Sequence, residues 1–115
     1  MFDGNVVANK TMEFAVRVVE LYKYLSEAKR EFVMSKQLLR SGTSIGANVR
    51  EGVYAQSRGD FISKMSIALK EASETEYWLE LLVRTKYLND EQYTSIRSDC
   101  GEVAKLLTAI VKGSK

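Results

Sequence analysis

The chain has 115 residues, with 17 basic and 15 acidic side chains, a net charge of +2, no proline, no histidine and one cysteine. That length suits one domain with a real core. The composition excludes imidazole-based catalysis, histidine metal ligation, an internal disulfide and a thiolate zinc site. The missing proline favours long, unbroken helices.

The opening residues MFDGNVVANK lack a basic start followed by an apolar run, so no signal peptide is expected. The most apolar stretch, Tyr77–Val83, is short and contains Glu80, so no membrane span is expected either. These features predict a cytoplasmic protein.

Apolar periodicity predicts four helices. The first spans about 9–28, where Phe14, Val18, Leu21, Leu25 and Ala28 recur at alternating spacings of four and three. The second spans about 31–54. Its middle, Ser41–Gly46, is rich in small residues and taken alone also fits a loop. The apolar phase of Met34, Leu38, Ile45, Val49 and Gly52 carries through it, which favours a continuous helix. The small residues would let a neighbouring helix approach closely.

The third helix spans about 59–87, with Ser57 and Asp60 as a near capping box and a stripe of Phe61, Met65, Ala68, Ala72, Thr75, Leu79 and Leu82. The fourth spans about 90–112. Asn89 and Gln92 form a capping box, Asp90 and Glu91 suit the helix start, and the stripe is Tyr93, Ile96, Cys100, Val103, Leu107 and Ile110. The links near Lys29–Arg30, Gln56–Ser57 and Leu88–Asn89 are short, which makes successive helices antiparallel neighbours. The expectation is a single all-α domain over 1–115, an up-down-up-down four-helix bundle.

Charge is uneven. Between Lys29 and Arg58 there are six basic and two acidic residues, a local excess of +4. If one helical phase holds across this span, Lys29, Lys36, Arg40, Arg50 and Arg58 fall on a common stripe opposite the apolar face. Such a stripe is either a solvated face or a surface that follows a nucleic-acid phosphate backbone. A second line, Gln37, Ser44, Asn48 and Glu51, lies between the two faces. Glu76, inside the apolar arc of the third helix, is expected to meet Asn48, Ser44 or an arginine. These five residues are read as a structural polar network that fixes helix register, with a ligand-binding role as the alternative.

The run Gln37–Gly52 resembles the signature of the four-helix-bundle, or ribosomal-RNA intervening-sequence, protein family, centred on Ser44, Ile45, Asn48, Val49, Glu51 and Gly52. Ser57, Asp60 and Phe61, and then Ala68–Leu79, resemble its following blocks. The resemblance implies a closed bundle that assembles into a ring-like homo-oligomer, typically a pentamer. It also implies kinship with the accessory variability protein of diversity-generating retroelements, whose barrels associate with nucleic acid and a reverse transcriptase. No enzymatic activity is implied.

Three functions compete. A non-enzymatic oligomer could associate weakly and non-specifically with RNA or DNA, as an accessory scaffold for a nucleic-acid-processing protein. A protein-interaction scaffold could act without touching nucleic acid, anchored by Tyr22, Tyr77 or Trp78. An enzyme would have to use carboxylates, hydroxyls, lysines or Cys100, and the buried phase of Cys100 argues for an inert thiol. No cofactor, metal or catalytic residue is expected. Ile67, Trp78 and Leu81 lie off the main stripe of the third helix and call for a second partner surface.

Overall fold

The computed structural model describes residues 4–113, so the reading of Met1–Asp3 and the ends of the 1–115 span lie outside the described residues. Four helices follow in order: α1 (Gly4–Glu27), α2 (Met34–Val53), α3 (Arg58–Arg84) and α4 (Asp90–Gly113). No strand occurs among the described residues.

Cross-helix contacts establish the directions. Arg40 and Ser41 meet Glu71 and Thr75, whereas Glu51 meets Lys64, so residue numbers rise on α2 as they fall on α3. The same reversal relates α1 to α2 and α3 to α4. A Cβ on Gly42 would touch Val18 and one on Gly46 would touch Thr11, while Glu76 pairs with Arg97 and Cys100 reaches Ala72. The arrangement is the expected up-down-up-down bundle. Its 43 Å long axis matches the about 40 Å of a 27-residue helix.

Each helix packs on its neighbours in the chain, and α1 returns to α4. The α2–α3 pair is the most intimate and the α1–α4 seam the least. At that seam Arg17 donates to Asp99 Oδ2 at 2.6 Å and to Ser95 Oγ at 3.1 Å. A cleft of about 550 Å³ runs beside it, lined by Phe14 and Val103 among others.

The core follows the stripes. Phe14, Val18 and Leu25 of α1 meet Leu38, Ile45 and Val49 of α2, Met65, Ala68, Ala72, Leu79 and Leu82 of α3, and Ile96, Cys100, Val103 and Leu107 of α4. Helix α2 runs unbroken through Ser41–Gly46, with Ser41 and Gly42 buried. The small residues do bring helices together: a Cβ at Gly42 would lie 2.7 Å from Val18 Cγ1.

Helix ends depart from the expected ranges for identifiable reasons. Helix α1 starts at Gly4 rather than near 9, because Val7 and Thr11 extend its buried stripe by another turn. Helix α2 starts at Met34 rather than near 31, because Glu31 turns inward as a cap. Its carboxylate accepts from the amides of Val33 at 3.1 Å, Met34 at 3.0 Å and Ser35 at 2.7 Å. Burial pushes this carboxyl's pKa up, but the amide bonds outweigh burial and hold it below its ordinary value. Helix α3 stops at Arg84 rather than near 87. Lys86 takes φ 73°, and the bonds Tyr87 N–H to Leu82 O and Lys86 N–H to Val83 O complete a Schellman motif. The two expected caps are present. Ser57 Oγ accepts from the Asp60 amide, and Asn89 and Gln92 bond reciprocally at 2.9 and 2.7 Å.

Candidate nucleic-acid interface

The basic stripe is only partly a property of one helix. Lys36, Arg40 and Arg50 lie on the outward face of α2, and 14 residues at about 1.5 Å each separate Lys36 from Arg50 by about 21 Å. Lys29 belongs to the 28–33 connection and Arg58 is the first residue of α3, so a single helical phase does not reach either. The cap at Glu31 and the 54–57 turn break it.

Arg40 is committed to α3. Its guanidinium donates to Glu71 Oε2 at 3.1 Å and to Glu74 Oε2. The hydrogen bond that Arg40 donates to Glu74 makes Arg40 harder to deprotonate, with the charges of Glu74 and Glu71 adding to it. Trp78 Nε1 also donates to Glu74 at 3.0 Å, and this bond, with that of Arg40, holds the Glu74 carboxyl below its ordinary pKa. Arg40 is therefore a helix-to-helix tie first. Lys36 and Arg50 are exposed and have no acidic partner among the described residues.

The polar line does not assemble as one network. Ser44 Oγ donates to the Arg40 carbonyl at 2.6 Å and Asn48 Nδ2 to the Ser44 carbonyl at 2.9 Å, both along their own helix. Glu51 accepts from Lys64 Nζ at 2.7 Å, and Gln37 is exposed. Glu76 finds an arginine, Arg97 of α4 at 2.7 Å, and neither Asn48 nor Ser44. The shift in register has a simple cause: Glu76 lies on the α4 side of α3, while α2 meets the other side.

The buried polar residues are different ones. Thr11, Glu31, Ser35, Ser41 and Thr75 are buried. Thr75 is on the α3 stripe and Ser41 belongs to the small-residue run of α2, and their pairing depends on a register that neither helix reveals alone. Glu31 falls outside the usual Ser, Thr, Asp and Asn caps.

Cys100 is buried with Sγ 3.6 Å from the Ala72 carbonyl. Burial, with Glu76 nearby, pushes its thiol up to about 12, far from a nucleophile's range. Among the described residues no group of three acidic or cysteine side chains is arranged to hold a metal. No helix among them is long and apolar enough to cross a membrane. Ile67 and Tyr77 are exposed on α3, whereas Trp78 is partly buried against the core.

The family model of the 23S rRNA-intervening sequence protein matches residues 4–109. The chain belongs to that family. A crystal structure of a protein with unknown function from the S23 ribosomal protein family of Bacteroides thetaiotaomicron is 65% identical. It superposes with a TM-score of 0.93 over 95% of this chain and 97% of that one. Among curated proteins none matches the chain. The family match spans all four helices, so the signature in α2 and the blocks in α3 lie within one shared fold.

Proposed function

We propose that this intervening-sequence family protein is a non-enzymatic, cytoplasmic homo-oligomer, a pentamer by family resemblance, that associates weakly and without sequence preference with RNA or DNA. What supports the reading is one observation: Lys36 and Arg50 stand exposed on the outward face of α2, without acidic partners among the described residues. Lys29 and Arg58 lie beyond either end of that helix. Cations so spaced can each meet a separate phosphate along a backbone, and copies in an oligomer raise the effective concentration of further contacts. Met12 and Val16 on α1 and Ile67 and Tyr77 on α3, all 40% or more exposed, supply apolar surface for self-association. A nucleic-acid-processing protein would be the partner that such a scaffold serves.

The test is fluorescence anisotropy of mixed RNA and DNA oligonucleotides against salt. Binding should weaken steeply with salt, and Lys36→Glu with Arg50→Glu should lower the salt slope by about 1 per site. Absence of binding at low salt overturns the reading. Arg40 is left intact in this test, because its removal would break a tie to α3.

A protein-interaction scaffold without nucleic-acid contact is the second reading. Tyr77, 58% exposed and edge-on to Trp78 at 5.0 Å, favours it as an aromatic anchor. Recovery of a protein partner that survives nuclease treatment, lost on Tyr77→Ala, would select it.

A further inference from the structure

The 28–33 connection between α1 and α2 sets an exposed cation beside an exposed aromatic ring. Arg30 holds φ 55°, one of two non-glycine residues at positive φ among the described residues. Glycine adopts that conformation without the Cβ penalty, so an arginine there is a local strain that the fold tolerates. The Arg30 guanidinium carbon lies 5.2 Å from the centroid of the Phe32 ring, within cation–π range. Phe32 is 45% exposed and the adjacent Val33 74% exposed. Between Arg30 and Phe32, Glu31 turns inward, and its carboxylate is taken up by three backbone amides. Lys29 precedes the pair in sequence and Lys36 follows it in the first turn of α2, both exposed.

We infer that this connection is a contact site for single-stranded nucleic acid, in which an unpaired base stacks on the Phe32–Arg30 pair and its flanking phosphates meet Lys29 and Lys36. The inference rests on the nucleic-acid reading above and deepens it. Bases stack readily on aromatic rings and on arginine planes, and a paired duplex keeps its bases out of reach. A lone ring with one valine is a small apolar tip for a bilayer, whereas one ring suffices for one base. Charge complementarity comes from Lys29, Arg30 and Lys36.

The experiment compares a labelled oligouridine, a blunt duplex of equal length and vesicles of phosphatidylcholine with phosphatidylserine, using the full chain at low salt. Phe32→Ala should weaken binding to oligouridine by about tenfold while changing duplex binding less than about twofold. Arg30→Gly should also weaken oligouridine binding while raising the melting temperature, an outcome that a merely structural role for Arg30 would not give. If the wild-type chain binds both nucleic acids and Phe32→Ala alters neither or both equally, the inference falls and the broader reading stands. If the wild-type chain binds neither nucleic acid, both fall. Vesicle binding that Phe32→Ala abolishes, with oligouridine binding unaltered, overturns the inference in favour of a lipid surface.

Discussion

Thr75 of α3 and Ser41 of α2 place their hydroxyl oxygens 2.9 Å apart in the buried interface of the most closely packed helix pair. Thr75 has one proton and a second acceptor, the Glu71 carbonyl at 2.8 Å. The assignment that satisfies both hydroxyls has Thr75 donate along its own helix and Ser41 donate across to Thr75. Thr75→Val then leaves Ser41 with only its weaker 3.4 Å bond to the Leu38 carbonyl. It should destabilise the bundle by about 1–3 kcal/mol in urea unfolding. Adding Ser41→Ala should cost less than the sum of the two single changes, because the orphaned group is removed.

Gly42 and Gly46 stand one turn apart and should respond oppositely to alanine. In an exposed helix the change gains up to about 1 kcal/mol. At Gly42 the new Cβ would meet both γ-carbons of Val18 at 2.7 and 2.8 Å, and Val18 is fully buried with nowhere to yield. Overpacking should win, at about 1–3 kcal/mol of destabilisation. At Gly46 the nearest atom is 3.4 Å away, an ordinary contact, so Gly46→Ala should stabilise. Thermal melts of the two variants separate the outcomes.

Glu31 links stability to pH. Its carboxyl is held below the ordinary value of 4.5 in the folded protein, so the stabilisation it gives is fully present above that value. That stabilisation disappears as pH falls through the depressed folded value. Glu31→Gln should lower stability by about 1–2 kcal/mol at neutral pH, the scale of a lost helix cap. The gap between variant and wild type should close below pH 4.5, which urea midpoints measured across the acid range would reveal.

Lys86 occupies the left-handed position of a Schellman motif, where glycine is the usual residue. Lys86→Gly should raise stability by about 0.5–1 kcal/mol, the backbone relief exceeding the added freedom of the unfolded chain. A lower denaturation midpoint would show that the lysine side chain contributes more than its backbone costs.

The helices were legible in the sequence because buried side chains recur on one face regardless of what they touch. The α3 stripe from Met65 to Leu82 and the α4 stripe from Ile96 to Leu107 are buried as the spacing predicts. Partner choice was less legible, since it depends on how one helix slides along the next. Arg40 reads as a surface cation from its own helix, and only the α2–α3 register brings it to Glu71 and Glu74. Glu76 was expected to meet an arginine among other candidates, and the choice of Arg97 required the position of α4. Helix α2 starts three residues later than its periodicity indicates, because a glutamate acts as the cap from outside the helix.

The α1–α4 seam differs in kind from the other three. Short hairpin turns hold α1 to α2, α2 to α3 and α3 to α4, while no turn joins α1 to α4, which meet through packing and the bonds of Arg17 to Asp99 and Ser95. Opening there would wet Phe14 and Val103 while leaving every hairpin folded. Backbone amides of the two outer helices should therefore exchange with deuterium sooner than those of α2 and α3, making this edge the place where the bundle breathes.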